Sequence, residues 1–489
     1  MQQIDKFLSK YTVVLQICLL LVAGIFLSLE VTRPLANYDE ATYAKVVVDT
    51  LKSGDAWSFT LSGSEWYEKP PLYLWLTMGS VQIFGEHEFA FRIPGIIASI
   101  LCLWLTYLIV RELTGSKLAA TSAFLVLLFT PFFYYFAKEV RLDSSVIATI
   151  LAAFWCWIKG WQNEKYLFWI LPLVAAGFLF KSVIVFLLGP ALLIYSFFYG
   201  RWVWLKSVYF WGGLIVSLGI LIPWHVVQFV RFGDDFLARY FWYDVYQRAT
   251  TTVTGTNNFY DYLSYLWVYS TLWFFVLLGV TTLFFILVMV REVRTTFPWK
   301  HVAAPLLVAI FILTLFSATK THLSPYLLPA FPFVAIFVAM LSYYVSQLLE
   351  RRRYLPSIIG IALVVSGAYY SFSPIFVPVL SDVYDEVAVG KVYRENQLQN
   401  PAPLYAFSWQ IFETINYYGD VRTQSFVVNE KSEKKFNGSF YLVTTVAEAD
   451  PLFYVDNGTI RSKYENLHLL YLGNTLVLIY SDAGMQFFK

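Results

Sequence analysis

The chain has 489 residues, of which 58% are hydrophobic and only 14% charged, with a mean hydropathy of +0.58. A soluble domain of that composition would expose large apolar patches, so lipid is the expected solvent. A net charge of +2 with no concentrated basic stripe excludes nucleic acid as a partner. The three cysteines, Cys18, Cys102 and Cys156, lie inside apolar runs without paired spacing and suggest neither a disulfide framework nor a thiolate metal site.

In chain order, apolar runs fall at 12–30, 89–110, 118–137, 144–158, 166–180, 182–199, 207–228, 266–290, 302–318, 325–345 and 357–379. A hydrocarbon core of roughly 30 Å takes about 20 helical residues, which makes these runs eleven expected crossings. The runs 166–180 and 182–199 are separated only by Lys181 and read as a hairpin. The first run has no small-residue cleavage site after it and is expected to stay attached. Counted this way, Lys6, Lys10, Arg111, Lys117, Lys159, Lys165, Arg201, Lys206, Arg291, Arg294, Lys300 and Arg351-Arg352-Arg353 share one side. That side is the cytoplasm by the positive-inside rule. Residues 31–88, 138–143, Lys181, 229–265, 319–324 and everything from 381 onward then lie outside.

The first outer loop, 31–88, is the richest. Behind Tyr38-Asp39-Glu40, the residues Tyr43, Val47 and Leu51 recur at helical spacing with charges elsewhere, predicting an amphipathic helix on the membrane surface that ends at Gly54. Pro70-Pro71 opens a second interfacial helix, preceded by Tyr67-Glu68-Lys69. Acids at a helix start are ordinary capping groups, and that reading suits Glu40. It does not cover the whole outer set of Asp39, Glu68, Lys69, Lys138, Glu139, Arg141, Asp143, Lys181, Lys320 and His322. Carboxylates and cations gathered at one face can hold an anionic head group, a divalent cation and a general base.

Elsewhere, 229–265 mixes Arg231, Asp234, Asp235, Arg239, Asp244 and Arg248 with aromatic residues. It reads as a surface helix with some lipid or sugar contact. His225, beside Pro223-Trp224, is a metal-ligand candidate against the commoner satisfied interfacial histidine. From about 381 the apolar runs shorten to strand length, as in 440–446 and 476–480, around one helical stretch near 408–418 and the turn signals Asn437-Gly438 and Asn457-Gly458.

Tyr38-Asp39-Glu40-Ala41-Thr42-Tyr43-Ala44, Leu51-Lys52-Ser53-Gly54-Asp55-Ala56-Trp57 and Tyr67-Glu68-Lys69-Pro70-Pro71-Leu72-Tyr73 occur in that order. Arg141-Leu142-Asp143, Phe180-Lys181 and Lys320-Thr321-His322-Leu323-Ser324-Pro325-Tyr326 follow them. Over about 30–345 the chain thus resembles the GT-C membrane glycosyltransferases, which include the aminoarabinose transferases of lipid A and the protein O-mannosyltransferases. The resemblance implies an α-helical polytopic membrane protein of about eleven transmembrane helices. Its catalytic domain would span 1–380, with interfacial helices in the first outer loop, followed by a small extracytoplasmic α/β domain at 381–489, in a bacterial inner membrane. It implies transfer of a sugar from a polyprenyl-phosphate donor to a lipid (lipid A-like), glycan or protein acceptor.

Carried over by position, Asp39 is the catalytic acidic residue and Asp143 the second acidic position. Glu68 is a metal-ligand candidate and Lys69 a contact to the donor phosphate, with Lys320 and Tyr326 near that phosphate. His322 departs from the commoner pattern and is kept as a ligand or hydrogen-bond donor. A phosphate leaving group needs positive charge, which Lys69, Arg141, Lys181 and Lys320, or a divalent metal cation, would supply. An incoming hydroxyl needs a base, a part that suits Asp39 and gives inversion in one step. The rival class is a polyprenyl-linked lipid transporter or flippase, whose ionisable residues would line a path through mid-bilayer; here the midsections are nearly free of acids and bases.

Overall fold

The computed structural model describes residues 11–348 except 36, 253–256, 259 and 291–294. From 378 to 487 it describes all but 407–412, 423, 426–433, 436–438, 446–452, 457–458, 463–466, 474–475 and 483–485. The expected span 357–379 therefore falls outside the described residues, save its last two. The chain forms two compact units, each discontinuous in sequence.

The first unit comprises residues 1–31, 67–85 and 89–372 and is helical. Five of its described helical stretches are long and apolar enough to cross a membrane: Glu88–Thr114, Glu164–Tyr199, Val208–Thr250, Trp299–Ala318 and Ala330–Leu348. A sixth forms if Lys117–Leu128 and Pro131–Ala137, bent by 68°, make one span. The runs expected at 12–30 and 144–158 appear as the shorter helices Thr12–Leu27 and Asp143–Lys159. The molecule is an integral, multi-pass membrane protein.

Outward faces carry bare apolar side chains. On the helix Val208–Leu237, Val208, Ile215 and Val230 are each at least three-quarters exposed, whereas Phe210, Gly213, Ser217, Trp224 and Gln228 form its buried stripe at helical spacing. Such a face suits contact with hydrocarbon. Gly213 lets this helix approach the Phe168 carbonyl more closely than any side chain permits.

Two breaks shape the outer ends. At Gly233 (φ 53°) the Val208–Leu237 helix changes course and continues into the widened π-helical turn Ala238–Gln247. At Ser182 (φ 48°) the helix Ile170–Lys181 stops. Val185 then packs against Gly177, although eight residues of straight helix would separate them by ~12 Å. The chain folds back where Lys181 interrupts the two apolar runs.

The second unit joins 32–66 and 86–88 to the C-terminal residues 373–489. Among the described residues its largest sheet has five strands. Leu404–Ala406 lies between Gln424–Ser425 and Phe440–Thr445 with both pairings parallel, and Leu476–Ser481 joins Phe440–Thr445 to Leu467–Leu472 with both pairings antiparallel. The helices Pro378–Gln397 and Glu413–Gly419 accompany the sheet, whose core includes Val389, Tyr393, Leu404, Ile415, Tyr441 and Leu478. The strands expected at 440–446 and 476–480 are present. Phe453–Asp456 pairs with Thr459–Ser462 across the two residues of the Asn457-Gly458 signal. The helix Asn37–Ser53 and the hairpin of Phe59–Leu61 and Ser64–Trp66 belong to this unit too.

Candidate active site

In the first unit the site begins at Asp143. It is the first residue of the helix Asp143–Lys159, where free N–H groups and the helix dipole favour a carboxylate. Both oxygens are taken: Lys181 Nζ pairs with Oδ1, and Arg141 Nε lies 3.3 Å from Oδ2. Arg141 also stands 3.6 Å from Glu139, a wholly buried acid. The segment holding these groups is pinned to the helix Glu88–Thr114. Ser99 Oγ lies 2.9 Å from the Gly95 and Ala137 carbonyl oxygens and 2.7 Å from Ser144 Oγ, while at Gly95 a Cβ would meet the Glu139 carbonyl oxygen at 2.9 Å.

From Lys181 the network runs on. Its Nζ sits 6.0 Å above the Tyr326 ring, and the Tyr326 hydroxyl accepts a hydrogen bond from Arg248. Arg248 pairs with Asp244 at 3.0 Å, one helical turn before it, and the other Asp244 oxygen accepts from Lys69 at 2.9 Å. The structure therefore brings together Asp143, Arg141, Lys181, Tyr326 and Lys69, expected from the sequence, with Glu139 of the same outer charged set and with Asp244 and Arg248, which were read as part of a surface helix. Their signal was the Asp244-to-Arg248 spacing of four, which puts both on one helix face.

The remaining candidates have partners of their own. Glu68 forms an ion pair with Arg239. Lys320 is exposed; its backbone N–H donates to Ala249 at 3.1 Å, and its carbonyl accepts from Thr252. His322 is buried and held at both ring nitrogens, by Asp261 and by the Thr319 carbonyl, each at 2.9 Å. His225 is tied to the Leu221 carbonyl at 2.8 Å and packs among Phe178, Trp224 and Tyr240. The three metal-ligand candidates Glu68, His225 and His322 thus have different partners. Among the described residues no group of three or more His, Cys, Asp or Glu could hold a metal ion.

Asp39 and Glu40 belong to the second unit, in the first turn of the helix Asn37–Ser53. Asp39 is half-buried; Glu40 is fully buried, 3.9 Å from Arg33. Further along, Lys45 bridges Asp49 and Asp420, and Lys52 reaches Asp420 at 2.9 Å. Burial pushes the Asp420 carboxyl up, but hydrogen bonds from Lys45 and Lys52, with their charges, outweigh it and hold the group at about 2. The same contacts outweigh desolvation at Lys45 and raise its pKa.

The fold is shared by two solved proteins, ArnT and AglB. ArnT of Cupriavidus metallidurans, solved bound to undecaprenyl phosphate, superposes with a TM-score of 0.71 over 96% of this chain and 97% of its own, at 17% identity. The archaeal oligosaccharyltransferase AglB of Archaeoglobus fulgidus superposes more loosely, with a TM-score of 0.53 over 92% of this chain and 74% of its own, at 12% identity. In sequence, residues 68–226 match the dolichyl-phosphate-mannose-protein mannosyltransferase family.

Among relatives, an uncharacterised protein of Aquifex aeolicus is 27% identical over 70% of this chain and 67% of its own length. The undecaprenyl phosphate-alpha-4-amino-4-deoxy-L-arabinose arabinosyl transferase of Pseudomonas aeruginosa is 29% identical over 44% of this chain. That match spans 41% of the Pseudomonas enzyme's length.

Proposed function

We propose that the protein is a membrane glycosyltransferase that moves a sugar from a polyprenyl-phosphate donor to a lipid, glycan or protein acceptor outside the membrane. The observation that carries this reading is the continuous network from Arg141 through Asp143, Lys181, Tyr326, Arg248 and Asp244 to Lys69. It sets four cations against three carboxylates, counting Glu139. A surplus of one positive charge suits a polyprenyl phosphodiester, which carries one negative charge. When the sugar leaves, the phosphate gains a second, and fixed cations stabilise that developing charge more than the ground state. The ArnT structure contains undecaprenyl phosphate, a lipid of this kind.

In the reaction, Lys69, Lys181 and Arg248 hold the donor phosphate, with Asp143 and Asp244 fixing their direction. Asp39 removes the proton of an acceptor hydroxyl as the oxygen attacks the anomeric carbon from the side opposite the phosphate, giving inversion. Toward an acceptor that is already an anion, Asp39 orients rather than deprotonates. The distribution of basic residues supports eleven crossings in a bacterial inner membrane, with a cytoplasmic N-terminus and an extracytoplasmic C-terminal unit.

The test is donor consumption by purified protein, with a synthetic polyprenyl-phosphate sugar and membrane extract as acceptor, wild type beside Asp39→Asn. Consumption that collapses in the variant while donor binding persists supports the reading. Donors that bind and are never consumed by the wild type overturn it.

A further inference from the structure

We infer that Asp420 and Tyr418 are positioning residues for Asp39, so that the C-terminal sheet unit is a working part of the proposed transferase. The inference rests on the role proposed above for Asp39. The helix Asn37–Ser53 is fixed at both ends by one short segment of the C-terminal region. Ahead of the helix, the Leu35 N–H donates to the Tyr418 hydroxyl at 3.1 Å, and that hydroxyl donates to Glu88 at 2.7 Å. Along the helix, Lys45 and Lys52 converge on the two oxygens of Asp420. Lys45 lies almost two turns beyond Asp39 and its side chain is only 5% exposed. Beyond the helix, Arg422 donates to Ser64 of the hairpin at 2.9 Å.

The segment 418–422 is itself rigidly seated. The helix Glu413–Gly419 packs so closely on Pro378–Gln397 that a Cβ on Gly390 would lie 3.0 Å from the Gly419 nitrogen. Asp420 then adopts a left-handed backbone (φ 48°) at the helix end, a place where glycine is the usual occupant because a Cβ is disfavoured there. A carboxylate kept at a conformational cost, with both oxygens directed at lysines of the Asp39 helix, indicates that the side chain has a task beyond ending its own helix. A base must be held within a fraction of an ångström of its working position, and this brace sets the helix that bears it.

The test uses full-length protein in lipid nanodiscs. Asp420→Asn should raise hydrogen exchange across Asn37–Ser53 at least tenfold and lower kcat for donor consumption at least tenfold. The Kd for the donor should stay within twofold. Asp420→Glu, which keeps a carboxylate for both lysines, should restore exchange and kcat in part. Wild-type exchange and kcat in Asp420→Asn would overturn the inference, as would a fall in kcat matched by lost donor binding that Asp420→Glu fails to repair. A wild type that never consumes donor defeats the transfer reading separately, because exchange over Asn37–Ser53 still reads the brace.

Discussion

Lys181 and Asp143, 38 residues apart, form an ion pair in which neither side chain is more than 16% exposed. Each sits at the helix end whose dipole suits its charge. Breaking a pair this buried leaves Asp143 leaning on Arg141, 3.3 Å away, a loss of ~1–3 kcal/mol. Lys181→Ala should therefore lower thermal stability and donor turnover together. The double variant Lys181→Met, Asp143→Asn should regain most of the stability and none of the turnover. Denaturation in detergent beside a turnover assay separates the two effects.

Lys69 and Arg248 share the Asp244 carboxylate. Lys69→Ala should weaken donor binding about tenfold, the value of one charge-assisted contact of ~1.4 kcal/mol. Asp244→Asn keeps both cations but loosens their direction, and it should lower kcat more than it raises KM. Titration with a polyprenyl phosphate and steady-state rates measure both.

Gly95 admits no side chain opposite the Glu139 carbonyl oxygen. Gly95→Ala should push the Arg141 and Asp143 segment outward and destabilise the protein by ~1–3 kcal/mol, the usual range for overpacking. Its signature is a lowered Tm with reduced turnover, whereas Gly79→Ala, where a Cβ meets nothing within 4 Å, should leave both unchanged.

The pH response of the brace follows from Asp420, whose carboxyl is lowered from 3.8 to about 2 in the fold. A lowered folded pKa contributes stability that is complete above 3.8 and lost as pH falls toward 2. Protection of the Asn37–Ser53 amides, taken relative to intrinsic exchange at each pH, should therefore fall between pH 4 and pH 2. Asp420→Asn should abolish that dependence. The carboxyl is 39% exposed, so solvent and salt screen the effect, and it should shrink in 1 M salt.

Much of the molecule was legible in the residues. The long apolar runs declared the membrane, and Asp143, Arg141, Lys181, Lys69 and Tyr326 were expected at one site and meet there. What escaped is instructive. Asp244 and Arg248 lie in an aromatic-rich segment whose charges look like an ordinary surface helix, and only the turn at Gly233 with its π-helical continuation aims them at Lys69 and Tyr326. Glu68, His225 and His322 are metal-ligand types, yet Arg239, an aromatic cluster and Asp261 engage them one by one. Residue type alone does not report convergence. The association of 32–66 with the C-terminal sheet depends on contacts such as Lys45 to Asp420, 375 residues apart, which no local pattern reveals.

That separation bears on how the protein is made. Ribosomes add ~5–20 residues each second, so the helix bearing Asp39 is synthesised roughly 20–75 s before the aspartate that fixes it exists. Until then its charged face lacks its lysine-binding partner. A chain cut short between residues 349 and 420 keeps the described apolar helices and the cationic network but never acquires this brace, so such unfinished copies would bind donor without being able to spend it.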